Sequence, residues 1–192
     1  MNANIIAEIV TQPTAEPLTL LEAKKQLEIA PSDTTHDQQL SSLIQEAREQ
    51  WENDTGMATT IRSLVIKTQS VYDGFRIPVT PVYSISQLSY YNTANASTVW
   101  SSSNYQLHSG KYIRLASGVS VPATYARWDA WTISFSAGYS IDGVSVPAIA
   151  KRAMLLLVGH YFENRDMLIS DGVSGMRAYE ALVSRFMRGN YP

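Results

Sequence analysis

Between residues 37 and 56 apolar side chains recur at Leu40, Leu43, Ile44, Ala47 and Trp51 with Gln, Glu and Arg between them, the spacing of one helical face. Gly56 marks the end of this helix, because glycine takes the left-handed conformation that closes the last turn at little cost. The apolar stripe faces a core, and Glu46, Glu49 and Glu52 are expected to face away from it. A shorter helix comes first. Thr19 stands three residues before Glu22, a capping box that satisfies free amides at a helix start, with Leu18 in the staple position before it. This helix is expected from about Leu20 to Ile29, where Pro31 and Ser32-Asp33-Thr34-Thr35 break the pattern.

From Thr59 the period shortens to that of strands. Ile61, Leu64 and Ile66, then Ile85 to Tyr91, Tyr105 to Leu107, Tyr112 to Leu115 and Trp131 to Phe135 are short apolar or alternating runs divided by Pro, Asn, Gly and Ser. Five or six antiparallel strands are predicted. Gly-Val-Ser-Val-Pro occurs at 118–122 and again at 143–147, but the flanks do not match, so each copy reads as a turn feeding the next element. Pro147 suits the first turn of a helix, and Ile149, Ala153, Leu156, Leu157, His160 and Tyr161 continue on one side. Met154, Leu155 and Val158 widen that surface until the helix must be buried among neighbours. After Asp171-Gly172, a last helix from about Gly175 to Met187 carries the stripe Met176, Tyr179, Leu182, Val183 and Phe186, and Gly189 to Pro192 form a short end.

The expected fold is therefore α+β: a small helical bundle from the N- and C-terminal segments with an inserted antiparallel β domain. The parts are a helical stretch over 1–56, a β-rich domain over 57–146 and helices over 147–192 that complete the bundle.

Composition supports that division. The segment 57–146 holds 13 of the 19 aromatic residues. The formal charge of −2 is a sum of unlike parts: 3 basic and 10 acidic residues in 1–56, 6 and 3 in 57–146, 6 and 4 in 147–192. Such a balance lacks the basic excess of a nonspecific duplex binder. At 192 residues the chain can bury roughly 70% of its unfolded surface and needs no staple. With no cysteine it has no disulfide, thiolate metal site or cysteine nucleophile. No run approaches the about 18 to 20 apolar residues of a membrane span, and Met1 to Val10, with Glu8 and no basic start, does not read as a secretory signal.

Catalytic patterns are not visible. There is no phosphate-binding glycine loop, and Gly172-Val173-Ser174-Gly175 lacks the spacing of a nucleophile elbow. Of the three histidines, His36 precedes a helix and His108 lies in a strand; only His160 has a carboxylate, Glu163, at helical spacing. Two copies of that pair would make a metal site, whereas the ordinary reading is a hydrogen-bonded histidine at a helix edge. Trp100, Tyr105, Tyr125, Trp128 and Trp131 would suit a sugar-stacking platform, although cross-strand packing is their commoner use. No cofactor, metal or catalytic residue is expected.

The order of segments resembles a known family. Glu16-Pro17-Leu18-Thr19-Leu20-Leu21-Glu22-Ala23-Lys24, an acidic break, a helix from Asp37 to Trp51 and then Thr55-Gly56 are similar to the opening of the tailed-bacteriophage head–tail connector (adaptor) proteins. Ser134-Phe135-Ser136-Ala137-Gly138-Tyr139, Val146-Pro147 and a helix ending His160-Tyr161-Phe162-Glu163-Asn164-Arg165 resemble its second half. The resemblance implies a non-enzymatic structural protein of the virion neck, assembled in the bacterial host cytoplasm. It implies a homo-oligomeric ring, commonly of twelve, between a portal protein and a tail-side neck protein, through which DNA passes during genome ejection without sequence-specific binding. It places portal contacts on the C-terminal segment: Arg185, Phe186, Met187, Arg188, Asn190, Tyr191 and Pro192, with Gly189 among them. An acidic lumen wall formed by Glu46, Glu49 and Glu52 would repel DNA phosphates and let the duplex slide. The alternatives are another neck or tail-completion protein, a carbohydrate-binding module using the aromatic strands, and a metal-dependent enzyme at His160 and Glu163.

Overall fold

The computed structural model describes residues 6–141, 145–164 and 173–188. The fold is α+β, with four α-helices and two antiparallel sheets among the described residues. The chain divides into two compact units, residues 14–60 with 140–191 and residues 1–13 with 61–139, and it passes between them three times.

The first unit is helical. Helix α1 (Leu20–Gln26) opens with the capping box: Thr19 Oγ1 accepts from the Glu22 amide at 3.1 Å and Glu22 Oε2 accepts from the Thr19 amide at 2.7 Å. The helix stops before the expected Ile29, because Glu28 turns left-handed at φ 58°. Helix α2 (Asp37–Thr55) ends at Gly56, whose φ of 67° is the left-handed stop. Helices α3 (Ala148–Glu163) and α4 (Val173–Arg188) follow the strand region. Leu40, Ile44, Ala47 and Trp51 of α2 are buried, as are Ala153, Met154, Leu157 and Val158 of α3 and Tyr179 and Phe186 of α4. Phe186 meets Trp51 edge-on with ring centroids 5.0 Å apart, closing α4 onto α2.

Burial alone would raise the Glu22 carboxyl, but hydrogen bonds from Thr19 and the nearby Lys151 ammonium outweigh it and hold it below its ordinary 4.5. A folded-state value below the unfolded one gives stabilisation that is complete above about pH 4.5 and is lost as pH falls through the folded value. Thr19→Ala is expected to cost about 1 kcal/mol, read from thermal melting by far-UV circular dichroism, with the difference from the parent shrinking on acidification.

The second unit is built on a five-stranded sheet in the order β1-β2-β8-β4-β5, where β1 is Ile6–Ile9, β2 Arg62–Thr68, β4 Val82–Tyr91, β5 Ser97–Trp100 and β8 Trp131–Ala137. A three-stranded sheet, β3-β7-β6, joins Phe75–Arg76, Tyr112–Leu115 and Tyr105–His108. Alternation on the central strands sets one buried face, with Leu64 and Ile66 of β2 beside Trp131, Ile133 and Phe135 of β8 and Leu88 of β4. The opposite face carries Ser63, Ser84, Ser134 and Ser136. The β6–β7 hairpin turns through Ser109 and Gly110, both at positive φ, the twist that suits two adjacent strands. Strands β1, β3 and β5 are additions to the five runs read from the sequence. Residues 6–9, taken there as part of the helical N-terminal stretch, are an edge strand.

Candidate functional site

Helix α2 carries the acidic residues expected to form a wall, and the structure separates them. Glu46 and Glu49 are exposed. Glu52 is not: its side chain is 7% exposed, and Oε1 accepts from both the amide and the hydroxyl of Thr59 at 2.9 Å. Its other oxygen, Oε2, meets Arg48 Nη1 at 3.2 Å. The Arg48 side chain is itself 3% exposed and donates from Nε to Glu16 at 2.8 Å, with Glu49 at 3.4 Å from Nη2. Burial alone would lower the Arg48 guanidinium, but the hydrogen bond to Glu16 and the charges of Glu16, Glu52 and Glu49 raise it, so it stays charged. Glu52 is thus an internal tie between α2 and the segment that follows it, and the expectation that it faces outward is corrected.

Other carboxylates of the first 56 residues are also engaged. Asp37 pairs with Lys24 at 2.6 Å, Glu22 lies 3.4 Å from Lys151, and Glu8 lies 3.4 Å from Lys67. Asp54 accepts from the Tyr179 hydroxyl at 2.6 Å, and burial, then this hydrogen bond, pushes the phenol pKa up so that it remains a donor. The strong negative count of this stretch therefore does not become an equally negative surface. Glu46 and Glu49 are its open part among the three residues expected there. Glu16 and Thr59 stand 32 and 7 residues from their partners, so nothing in the spacing foretells the node.

The C-terminal candidates divide similarly. Arg185 and Met187 are exposed, whereas Phe186 is 2% exposed against Trp51 and has no free face for a portal contact. Arg188 ends α4. Gly189, Asn190, Tyr191 and Pro192 lie outside the described residues.

His160 Nδ1 lies 3.3 Å from Asn164 Nδ2, and Asn164 also donates to the His160 carbonyl, so the histidine belongs to a helix end. Among the described residues no group of three or more His, Asp or Glu is placed to hold a metal ion. No helix among them is long and apolar enough to cross a membrane. The aromatic set does not form one platform. Trp100 and Trp131 are buried edge to face at 5.1 Å, with Tyr105 stacked on Trp100 and Tyr90 on Trp131. Tyr125 and Trp128 are exposed.

The α1–α2 pair with its capping box, followed by these strands, has a counterpart among known families. The family described as phage gp6-like head–tail connector protein matches residues 17–112, half of the chain. The chain belongs to this family. The matched part of the connector includes Arg48, Glu52 and Thr59, while α3 and α4 lie beyond it. None of the curated proteins matches the connector. Among solved structures it is similar in fold to a chain of the neck of an empty GTA particle computed with C6 symmetry, at 20% identity, TM-score 0.75 and 94% coverage of each chain. A chain of the virion of a native gene transfer agent particle gives 21% identity, TM-score 0.75 and the same coverage, and one from the neck of a native GTA particle computed with C12 symmetry gives 22% and 0.71.

Proposed function

We propose that this connector is a structural, non-enzymatic part of the neck of a phage or phage-like particle, where twelve copies form a ring between portal and tail-side neck protein. The observation that carries this reading is fold likeness over 94% of the chain to subunits of particle necks, joined to membership of the connector family. Assembly takes place in the host cytoplasm and DNA leaves through the ring. Arg185 and Met187, with Arg188, Asn190, Tyr191 and Pro192, supply the portal-side contacts, and Phe186 supports them from within the helical core.

Glu46 and Glu49 border the lumen. Fixed negative charge there raises the cost of phosphate adhesion and favours passage. Particles made without the connector are expected to accumulate as filled or leaking heads lacking tails in electron micrographs; normal tailed particles would overturn the assignment. Glu46→Lys with Glu49→Gln lowers the negative charge at two exposed positions and keeps a polar acceptor beside Arg48, so rings should still form. The expected result is a several-fold fall in DNA delivered per particle, and unchanged delivery would place these residues away from the channel.

A further inference from the structure

The five-stranded sheet of the β unit is open: β1 and β5 are its two end strands, and among the described residues no further strand pairs with either. An open strand edge offers unpaired amides and carbonyls to another chain, and soluble proteins commonly guard it with charge or proline. Strand β5, Ser-Thr-Val-Trp, has neither guard, and Val99 on it is 63% exposed. At the other end, β1 carries one charge, Glu8, which lies 3.4 Å from Lys67 of the neighbouring strand, and Ile9 with the following Val10 are 46% and 60% exposed.

A second feature lies on the β5 side. Trp128 is 71% exposed, yet its loop is held firmly: Arg127 forks onto Asp129, reaches Asn95 in the β4–β5 turn, and lies 3.8 Å above the Tyr91 ring. Tyr91 also accepts from the Tyr125 amide and donates to the Ala130 carbonyl, fixing the loop on both sides of Trp128. A large aromatic on a held backbone is the usual anchor of a protein contact, because little backbone entropy is lost when it is covered. The pairing of Arg127 with Asp129 neutralises the charge beside it.

We propose that the β units of successive copies join edge to edge, the β1 edge of one, at Ile9 with Val10 after it, against the Val99 and Trp128 side of the next. This rests on the ring reading above and names the contact that builds the ring. The occupant is a second copy because the two open edges, each with exposed β-branched residues, belong to one sheet and lie at its opposite ends, so each copy offers both halves of a head-to-tail contact, which closes by rotation. Backbone pairing supplies register, and the exposed β-branched residues and Trp128 supply the apolar area.

The chain has no cysteine, so paired substitutions can report the contact without background. Ile9→Cys with Val99→Cys in one chain, assembled alone or with portal-bearing heads and then oxidised or treated with a short bis-maleimide, should give a covalent ladder ending in a closed ring. Neither single variant should be cross-linked. In parallel, acrylamide quenching reads Trp128, since Trp51, Trp100 and Trp131 are buried, and the quenchable emission should fall several-fold on assembly. Rings that form by light scattering but show no ladder and unchanged quenching overturn the edge contact and leave the ring reading standing. Dimers from a single variant overturn the head-to-tail arrangement. A folded chain that assembles neither alone nor with heads overturns both.

Discussion

Arg48→Ala lowers the stability of the helical unit by about 3–5 kcal/mol, the cost of breaking a buried ion pair from one side. The Arg48 side chain lies 3% exposed with Glu16, Glu49 and Glu52 around it, and Glu52 is 7% exposed. Removing the guanidinium takes the Arg48 charge away from a buried Glu52 carboxylate, which keeps the Thr59 amide and hydroxyl among its partners. The measurement is chemical denaturation followed by the far-UV helix signal. Arg48→Met combined with Glu52→Gln removes both charges and keeps a hydrogen-bonding amide for Thr59, so it should recover most of the loss. If the double variant is as unstable as Arg48→Ala, the orphaned Glu52 charge is not the source of the damage.

Phe186→Ala is expected to cost a similar 3–5 kcal/mol, because it removes a large ring from a filled core. The ring sits edge-on to Trp51 at 5.0 Å, and Tyr179, about two helical turns earlier, is also buried and tied to Asp54. Thermal melting reads the loss. The informative comparison is with Met187→Ala at the exposed neighbouring position, which should leave the melting temperature nearly unchanged. A Phe186→Ala chain that melts like its parent would mean that α4 does not depend on this contact, and Phe186 would return to the surface candidates.

Both predictions concern residues whose roles the sequence pattern separated only partly. Leu40, Ile44, Ala47 and Trp51 are at helical spacing because one face of α2 is buried, and Gly56 ends the helix as a left-handed residue should. Glu46, Glu49 and Glu52 look like one outward row, but steps of three residues drift by about 60° each on a helix with 3.6 residues per turn. Glu52 is therefore about 120° round from Glu46, on the flank that meets Thr59. Phe186 belonged at once to an amphipathic stripe and to a segment implicated by resemblance. The period was the better guide, since Tyr179 and Phe186 share a face at seven-residue spacing.

The strands missed by the pattern share a physical cause. Strand β3 has two residues, and β1 and β5 have four each with little alternation, because an edge strand or a short bridge makes part of its contacts on one side only. The central strands β2 and β8 alternate over seven residues and were legible. The Arg48 node was not. Its members come from three separate stretches, and a buried ion pair reads in sequence like any surface charge until the fold brings the partners together.

The three passages of the chain between the units impose an order of events during synthesis. Every described strand of the β unit has left the ribosome once Ala137 has emerged, while the helical unit still lacks α3 and α4. Until then Trp51 and the apolar face of α2 have no Phe186, Leu157 or Met154 to cover them. The nascent chain therefore carries a finished sheet beside a sticky, half-built bundle, and this interval is when a chaperone that binds apolar helices would matter most.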